Sequence, residues 1–442
     1  MLLRKLLERS KRSIWLYPVI YSLFAAILAA GVTLLDSNYF LDPDTIVPAV
    51  LLTSSKLARS LLSLIANAFI TIMTFTFSTT MVVLTMYSSQ FSPRVVENFL
   101  ANKATMKSFG ILISGFIYAI LTLFFIRHSN PAEPVLAATI GVVYVIIGLV
   151  NFIVFIANVG TYIQAGNLID RLFTKAQLDI AEYRNSIQEY RHVSEDAVAQ
   201  IQGKVELFSP SSGYIQEIDY RGIYQAALDS QSIIRLDKVP GQFLTERTPI
   251  AMIHFDDDLP IDDHCVQQIV DSIMIGKSRT ETQDFSFSIQ KIAEVALKAL
   301  SPGINDPNTA IHCIRQLGLL IRDLAQIEQG YIVMRNDEKK GALYREGFDL
   351  DLVLTDVFLP IIHYGQQDIL VMREVIKAYR HMLEKAMDRN QATLFDHADQ
   401  LMQQLSALSL RRDEIELLRQ EFAEIEARKP SAKSDLNQAH LQ

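Results

Sequence analysis

Cysteine is nearly absent from this chain, with only Cys265 and Cys313 in 442 residues. They stand far apart and form no CxxC pair, which excludes a disulfide framework and a paired-cysteine metal knuckle. Both are expected to be reduced, buried thiols. A surplus of positive charge is also missing. The formal net charge is -8 and the pI near 5.7, which opposes the basic surface that a nucleic-acid partner requires. The phrases that carry familiar chemistry are absent as well: no GxSxG, no HExxH, no Walker loop ending in GK[ST] and no GxGxxG after a strand. No catalytic residue, metal ligand or cofactor is therefore assigned. Most informative is the lack of Asp, Glu, Lys, Arg and His from four long stretches, Ser13 to Leu35, Ser60 to Gln90, Ser108 to Ile126 and Pro134 to Ile169.

Each stretch is long enough to cross a hydrocarbon core of about 30 Å, which takes about 20 helical residues. In lipid the backbone must satisfy its own hydrogen bonds, so all four are expected to be helices, with spans near 13–35, 60–88, 108–126 and 135–160. The first is preceded by Arg4, Lys5, Arg9, Lys11 and Arg12, but its apolar run exceeds that of a signal peptide. It reads as an uncleaved anchor. The basic cluster, with Arg94, Lys103 and Lys107 two crossings later and Arg171, Lys175 and Arg184 after the fourth span, predicts a multi-pass protein with both termini cytoplasmic. Lys56 and Arg59 fall on the outer side in this scheme, against the charge rule. The lack of intramembrane ionisable groups argues against a proton relay or charge-coupled transporter.

The second stretch differs from the others. Its roughly 31 uncharged residues would reach about 46 Å as a helix, well beyond the hydrocarbon core. It also carries Ser60, Ser63, Asn67, Thr71, Thr74, Ser78, Thr85 and Ser88 at spacings of three and four, skipping only Met81, so these side chains share one helical face. Two readings follow. The hydroxyls bond back to their own helix or to a neighbour in close packing, or the stripe, Ser63, Asn67, Thr71, Thr74, Ser78 and Thr85 in particular, lines a hydrated path in a homo-oligomer.

Beyond residue 167 the text changes. Residues 168–202 read as a linking helix, 203–258 as a small β domain, 259–428 as a mainly helical domain with a β-hairpin, and 429–442 as a disordered polar tail. Ser212-Gly213-Tyr214-Ile215-Gln216-Glu217-Ile218 and Pro240-Gly241-Gln242-Phe243-Leu244 resemble the skeleton of a barrel-sandwich hybrid, the fold of biotinyl and lipoyl carriers. The hairpin lysine that such carriers modify is missing, since Tyr220 to Ser230 reads as a short helix without lysine. Asp256, Asp257, Asp258, Asp262, Asp263 and His264 form the densest acidic run, but without EF-hand spacing they read as a solvated loop. A β-hairpin is expected from Tyr331–Arg335 and Ala342–Arg345, and two closing amphipathic helices from Gln366–Ala386 and Thr393–Ala427. In Ser301-Pro302-Gly303-Ile304-Asn305-Asp306-Pro307-Asn308-Thr309, Asp306 is placed as an N-cap and Pro307 as the first helical residue. That accounts for those two residues and leaves Asn305 and the Pro/Gly cluster unexplained. A ligand-binding loop is the alternative, with Ser301, Gly303, Asn305, Asp306 and Thr309 joined by Arg279, Thr280 and Asp284.

Four amino-terminal spans, Tyr87-Ser88-Ser89-Gln90-Phe91-Ser92-Pro93-Arg94, Arg279-Thr280 with Gln283-Asp284-Phe285, and Ala299-Leu300-Ser301-Pro302-Gly303-Ile304-Asn305-Asp306-Pro307 resemble the bacterial predicted membrane proteins grouped as domain of unknown function 2254. The resemblance covers nearly the whole chain. It implies a four-helix membrane bundle with an α+β region in a bacterial inner (plasma) membrane, and no activity. Three functions from different classes remain: a non-enzymatic homo-oligomer acting as channel or membrane sensor, a ligand-binding regulator or membrane-bound enzyme using the Ser301–Thr309 loop, and a scaffold for a protein partner of unknown identity.

Overall fold

The computed structural model describes residues 15–37, 48–90, 103–126, 134–162, 164–201, 203–255, 263–336 and 340–429. The amino-terminal basic cluster, most of the acidic run, the phrase 91–94 and the expected disordered tail from residue 430 on lie outside them. The chain divides into two compact units, Met1–Asn167 and Leu168–Gln442.

The first unit holds α1 (Leu16–Asp36), β1 (Thr53–Ser54), α2 (Ser55–Gln90), α3 (Lys103–Phe125), β2 (Pro134–Val135) and α4 (Ala137–Tyr162). All four helices are long and apolar enough to cross a membrane. The centre is α3, which packs against the other three. Small residues allow the approach, as bundles in lipid require. The ring of Phe69 on α2, fully buried, seats against Gly115 of α3 and Gly148 of α4, where a Cβ at Gly148 would stand 2.6 Å from its Cε1. Polar bonds tie the same interior. Ser108 Oγ donates to Asn151 Oδ1 at 3.1 Å, Tyr144 to Ser114 Oγ at 2.8 Å and Tyr118 to the Ala137 carbonyl at 2.9 Å. At one end β1 pairs with β2, and the Asp36 carboxylate accepts the amides of Leu136 and Ala137 at 2.9 and 3.0 Å, capping α4.

The second unit begins on α5 (Ala165–Ile187) and continues through β3 (Arg191–Val193), α6 (Glu195–Ala199), β4 (Val205–Phe208), β5 (Gly213–Ile218), α7 (Tyr220–Asp229), β6 (Ile233–Leu236), β7 (Phe243–Leu244), β8 (Pro249–His254), α8 (Asp263–Asp271) and β9 (Ile273–Gly276). It ends with α9 (Phe285–Leu300), α10 (Pro307–Leu324), β10 (Tyr331–Arg335), β11 (Ala342–Glu346), α11 (Leu350–Gly365), α12 (Ile369–Leu383), α13 (Asp388–Ser406) and α14 (Arg412–Glu426). The strands form a six-stranded sheet in the order β3-β10-β11-β6-β8-β4 and a three-stranded sheet β7-β5-β9. All pairings are antiparallel except β11 with β6. Ile215, Ile223, Ile234, Ile253, Ile269 and Leu343 sit in their common core.

This arrangement corrects the barrel-sandwich expectation. Both sheets are open, and the strands between residues 203 and 258 complete their hydrogen bonding through β9 and β11, which lie elsewhere in the chain, with β10 and β3 continuing the larger sheet beyond β11. The Pro240-Gly241 turn is as expected, with Gly241 at φ +92, the left-handed value of the third turn position. The linking helix is shorter than expected: it stops at Ile187, and Arg191–Val193 joins the six-stranded sheet through β10. The last expected helix is two, because the chain leaves the helical path at Leu408–Leu410 and restarts where the Glu414 carboxylate accepts the Arg411 amide at 2.9 Å.

Candidate functional site

The polar stripe of α2 is presented outward. Ser63, Asn67, Thr71, Thr74, Ser78 and Thr85 are all exposed, whereas Ala58, Leu62, Ile65, Phe69, Thr76, Thr80 and Val83, on the other side of the same helix, are buried. Packing among the described residues therefore does not use the stripe. The threonines bond back to their own helix, Thr71 to the Asn67 carbonyl, Thr74 to that of Ile70 and Thr85 to that of Met81, each at 2.9 Å. The side chains of Ser63, Asn67 and Ser78 have no hydrogen-bond partner among the described residues. The outward surfaces of α1 and α4 are different in kind, built from Val19, Leu23 and Ile27 on one and Val143, Ile146 and Ile153 on the other. Such surfaces match lipid, and a row of hydroxyl and amide groups does not.

The residues chosen for a ligand loop fall into two groups. At the start of α9, Asp284 is the N-cap and accepts the Phe287 amide at 3.1 Å. Its carboxylate also takes a two-pronged bond from Arg279, Nε to Oδ2 at 2.6 Å and NH2 to Oδ1 at 3.1 Å. Arg279 NH1 reaches Gln290 Oε1 at 2.6 Å, and its guanidinium lies 5.0 Å from the Phe287 ring. Burial pushes the Asp284 carboxyl above the usual range, outweighing the lowering effect of Arg279. Thr280 Oγ1 contacts the Gln216 carbonyl at 3.4 Å. Gln283, in the left-handed region at φ 59, brackets Ile218 with bonds to its amide at 3.0 Å and carbonyl at 3.1 Å. Gly241 presses on the Arg279–Asp284 pair so closely that a Cβ there has no room. Segment 279–284 thus clamps the β5 and β6–β8 region to α9.

The second group lies at the far end of α9. With 16 residues in that helix, Asp284 and Ser301 are about 24 Å apart at 1.5 Å per residue, so the structure does not bring the two groups together. Asp306 accepts the Thr309 amide at 3.1 Å and its hydroxyl at 2.6 Å. Since Pro307 has no N–H, the first-turn amide without a partner among the described residues is that of Asn308. Asn305 has φ 50, which Asn tolerates better than most residues, and its amide donates to the Ser301 carbonyl at 2.9 Å. That conformation accounts for Asn305. Gly303 is exposed, with nothing near an added Cβ.

Residues 11–381 match the family described as predicted membrane protein, DUF2254. The chain belongs to that family. This DUF2254 chain is also similar to two uncharacterized proteins, Mb1321c of Mycobacterium bovis and Rv1290c of Mycobacterium tuberculosis. It is 28% identical to each over 281 residues, covering 61% of this chain and 52% of theirs. It spans about half the length of the curated relatives it matches. No solved structure matches it.

Sequence reasoning missed a buried polar network in this DUF2254 chain. Asp179 on α5 pairs with Lys175 and accepts the Ser288 hydroxyl of α9 at 2.6 Å, while buried Lys291 pairs with Glu281 and its ammonium lies 4.7 Å from the centroid of the Phe287 ring. Ser288 and Lys291 occur at the spacing of Ile292, Val295 and Ala299 on an otherwise apolar face, which is the signal that could have revealed them. A second missed group is on β11. Arg345 is buried and stacks 4.0 Å from the Tyr220 ring. Glu346 is placed opposite Tyr331, whose hydroxyl donates to Asp237 at 2.8 Å. Burial, helped by Asp237, Asp349 and Glu195 and opposed by Lys238, pushes the Glu346 carboxyl up to about 7. Cys265 and Cys313 are buried thiols outside any disulfide.

Proposed function

We propose that this protein is a homo-oligomeric membrane conduit in which copies of α2 turn their polar faces toward a shared hydrated path, with both termini in the bacterial cytoplasm. The observation that carries the reading is the exposure of Ser63, Asn67, Thr71, Thr74, Ser78 and Thr85 on the side of α2 away from its own bundle. Back-bonding makes a lipid-facing threonine tolerable, because its only donor is used. The Asn67 side chain has two donors and an acceptor with no partner among the described residues, so it calls for water or another chain rather than hydrocarbon. The basic residues flanking the spans support the orientation. In the second unit Asp284 and Asp306 serve as helix caps, Arg279 clamps Asp284 and Asn305 takes a left-handed turn, which leaves the stripe of α2 as the feature that supports a function best.

The test is solute or ion flux through liposomes holding the purified protein, comparing wild type with the double variant Thr74→Leu, Ser78→Leu. Wild-type flux falling at least tenfold in the variant is expected. No flux in wild type, or undiminished flux in the variant, overturns the reading.

A further inference from the structure

We infer that the path favours anions, selected at its mouth by Lys56. The inference rests on the conduit reading above. Lys56 lies in the first turn of α2 and is exposed. The positions 56, 60, 63, 67, 71, 74 and 78 continue the same spacing of three and four, so Lys56 heads the polar stripe. Its ammonium has no partner among the described residues, and the only contact involving it is made by its carbonyl, which accepts the Ser60 hydroxyl.

A structural role does not account for this lysine. The amino-terminal end of a helix carries a partial positive charge, so a cation in the first turn is unfavourable there, and α2 has no acidic residue in that turn to offset it. Lys56 also stands on the side of the membrane where the orientation expected from the sequence predicts few basic residues. Among the described residues no acid pairs with it. The Arg59 guanidinium, one turn on, donates to the Ile126 carbonyl at 3.0 Å. Asp36, the nearby acid, is buried and holds the amides of Leu136 and Ala137.

In an oligomer with α2 inward, the lysines form a ring at one mouth, the arrangement by which charged side chains select anions. Below that ring Ser63, Asn67 and Ser78 keep O–H and N–H donors available to a partly dehydrated anion, while the hydroxyl protons of Thr71, Thr74 and Thr85 are directed to their own helix. A fixed charge acts over a longer range than a hydroxyl dipole, so the ring sets the sign of the preference.

Reversal potentials across planar bilayers holding the full-length protein, under a tenfold KCl gradient, give the chloride-to-potassium permeability ratio. The ratio is expected to exceed one by several-fold in wild type, to persist in Lys56→Arg and to drop below one in Lys56→Glu. As a second measurement that does not depend on Glu being tolerated, Lys56→Cys is modified in the bilayer with a cationic or an anionic methanethiosulfonate; the cationic adduct is expected to restore anion preference and the anionic one to reverse it. A cation-preferring wild type, or a ratio indifferent to the charge at position 56, overturns the anion assignment and leaves the conduit standing. Absence of any conductance in wild type overturns both.

Discussion

Asp284 and Arg411 show how differently two ion pairs are placed. The Arg279–Asp284 pair is shielded, with the carboxylate side chain 2% exposed, and it holds a helix start, a glycine turn and an aromatic ring together. Removing one partner of a buried pair strands the other, so Arg279→Ala is expected to lower the unfolding free energy by about 2–4 kcal/mol. Arg411, paired with Asp413 on the surface at 3.5 Å, should cost under about 0.5 kcal/mol when changed to Ala. Chemical denaturation of the detergent-solubilised protein compares them; equal effects would contradict the clamp assigned to residues 279–284. Glu346 makes a pH-dependent prediction. Its folded carboxyl is raised to about 7 from 4.5, so the folded state holds its proton more tightly than the unfolded state. The associated stability is present in full below about 4.5 and is lost as the pH rises through 7. After allowance for solvent screening the loss is on the order of 1–2 kcal/mol. Glu346→Gln should flatten the stability profile between pH 4.5 and 7, and an unchanged slope would count against it.

At the scale of elements, glycine spacing decides how closely α2, α3 and α4 approach. Leucine at Gly148 would fill the space of the Phe69 ring, and overpacking of this kind costs about 1–3 kcal/mol or more. Gly148→Leu is therefore expected to reduce the fraction of monodisperse protein in size-exclusion chromatography, with Phe69→Ala in the same chain restoring part of it; no rescue would argue that Phe69 does not seat there. Much of this level was legible from the residues. Uncharged length gave the four helices, Asp306-Pro307 gave the start of α10, and the strand pair 331–335 with 342–345 reads directly from β-prone runs around a polar turn, the second strand running one residue further in the structure. What could not be read depended on distant partners. The strands of 203–258 look self-contained locally, but β6 pairs in parallel with β11, more than a hundred residues away. Helix α11, Leu350–Gly365, was overlooked because it is apolar on most sides and carries Pro360, so its periodicity is faint. The two halves of the proposed ligand loop were grouped by chemistry alone, and the rigid length of α9 separates them.

For the whole molecule, the account turns on which environment the outward face of α2 meets. All four helices of the bundle expose apolar side chains, and among the described residues α2 alone carries a continuous polar line. The most direct test is cysteine accessibility along that helix in intact membranes. Single substitutions Ser63→Cys, Asn67→Cys, Thr71→Cys, Thr74→Cys and Ser78→Cys, with Leu64→Cys and Val82→Cys as exposed apolar controls, are treated with a charged, membrane-impermeant thiol reagent; native Cys265 and Cys313 are buried. The account predicts labelling of the stripe positions and protection of the controls. Protection of the stripe to the level of Leu64→Cys and Val82→Cys would contradict it.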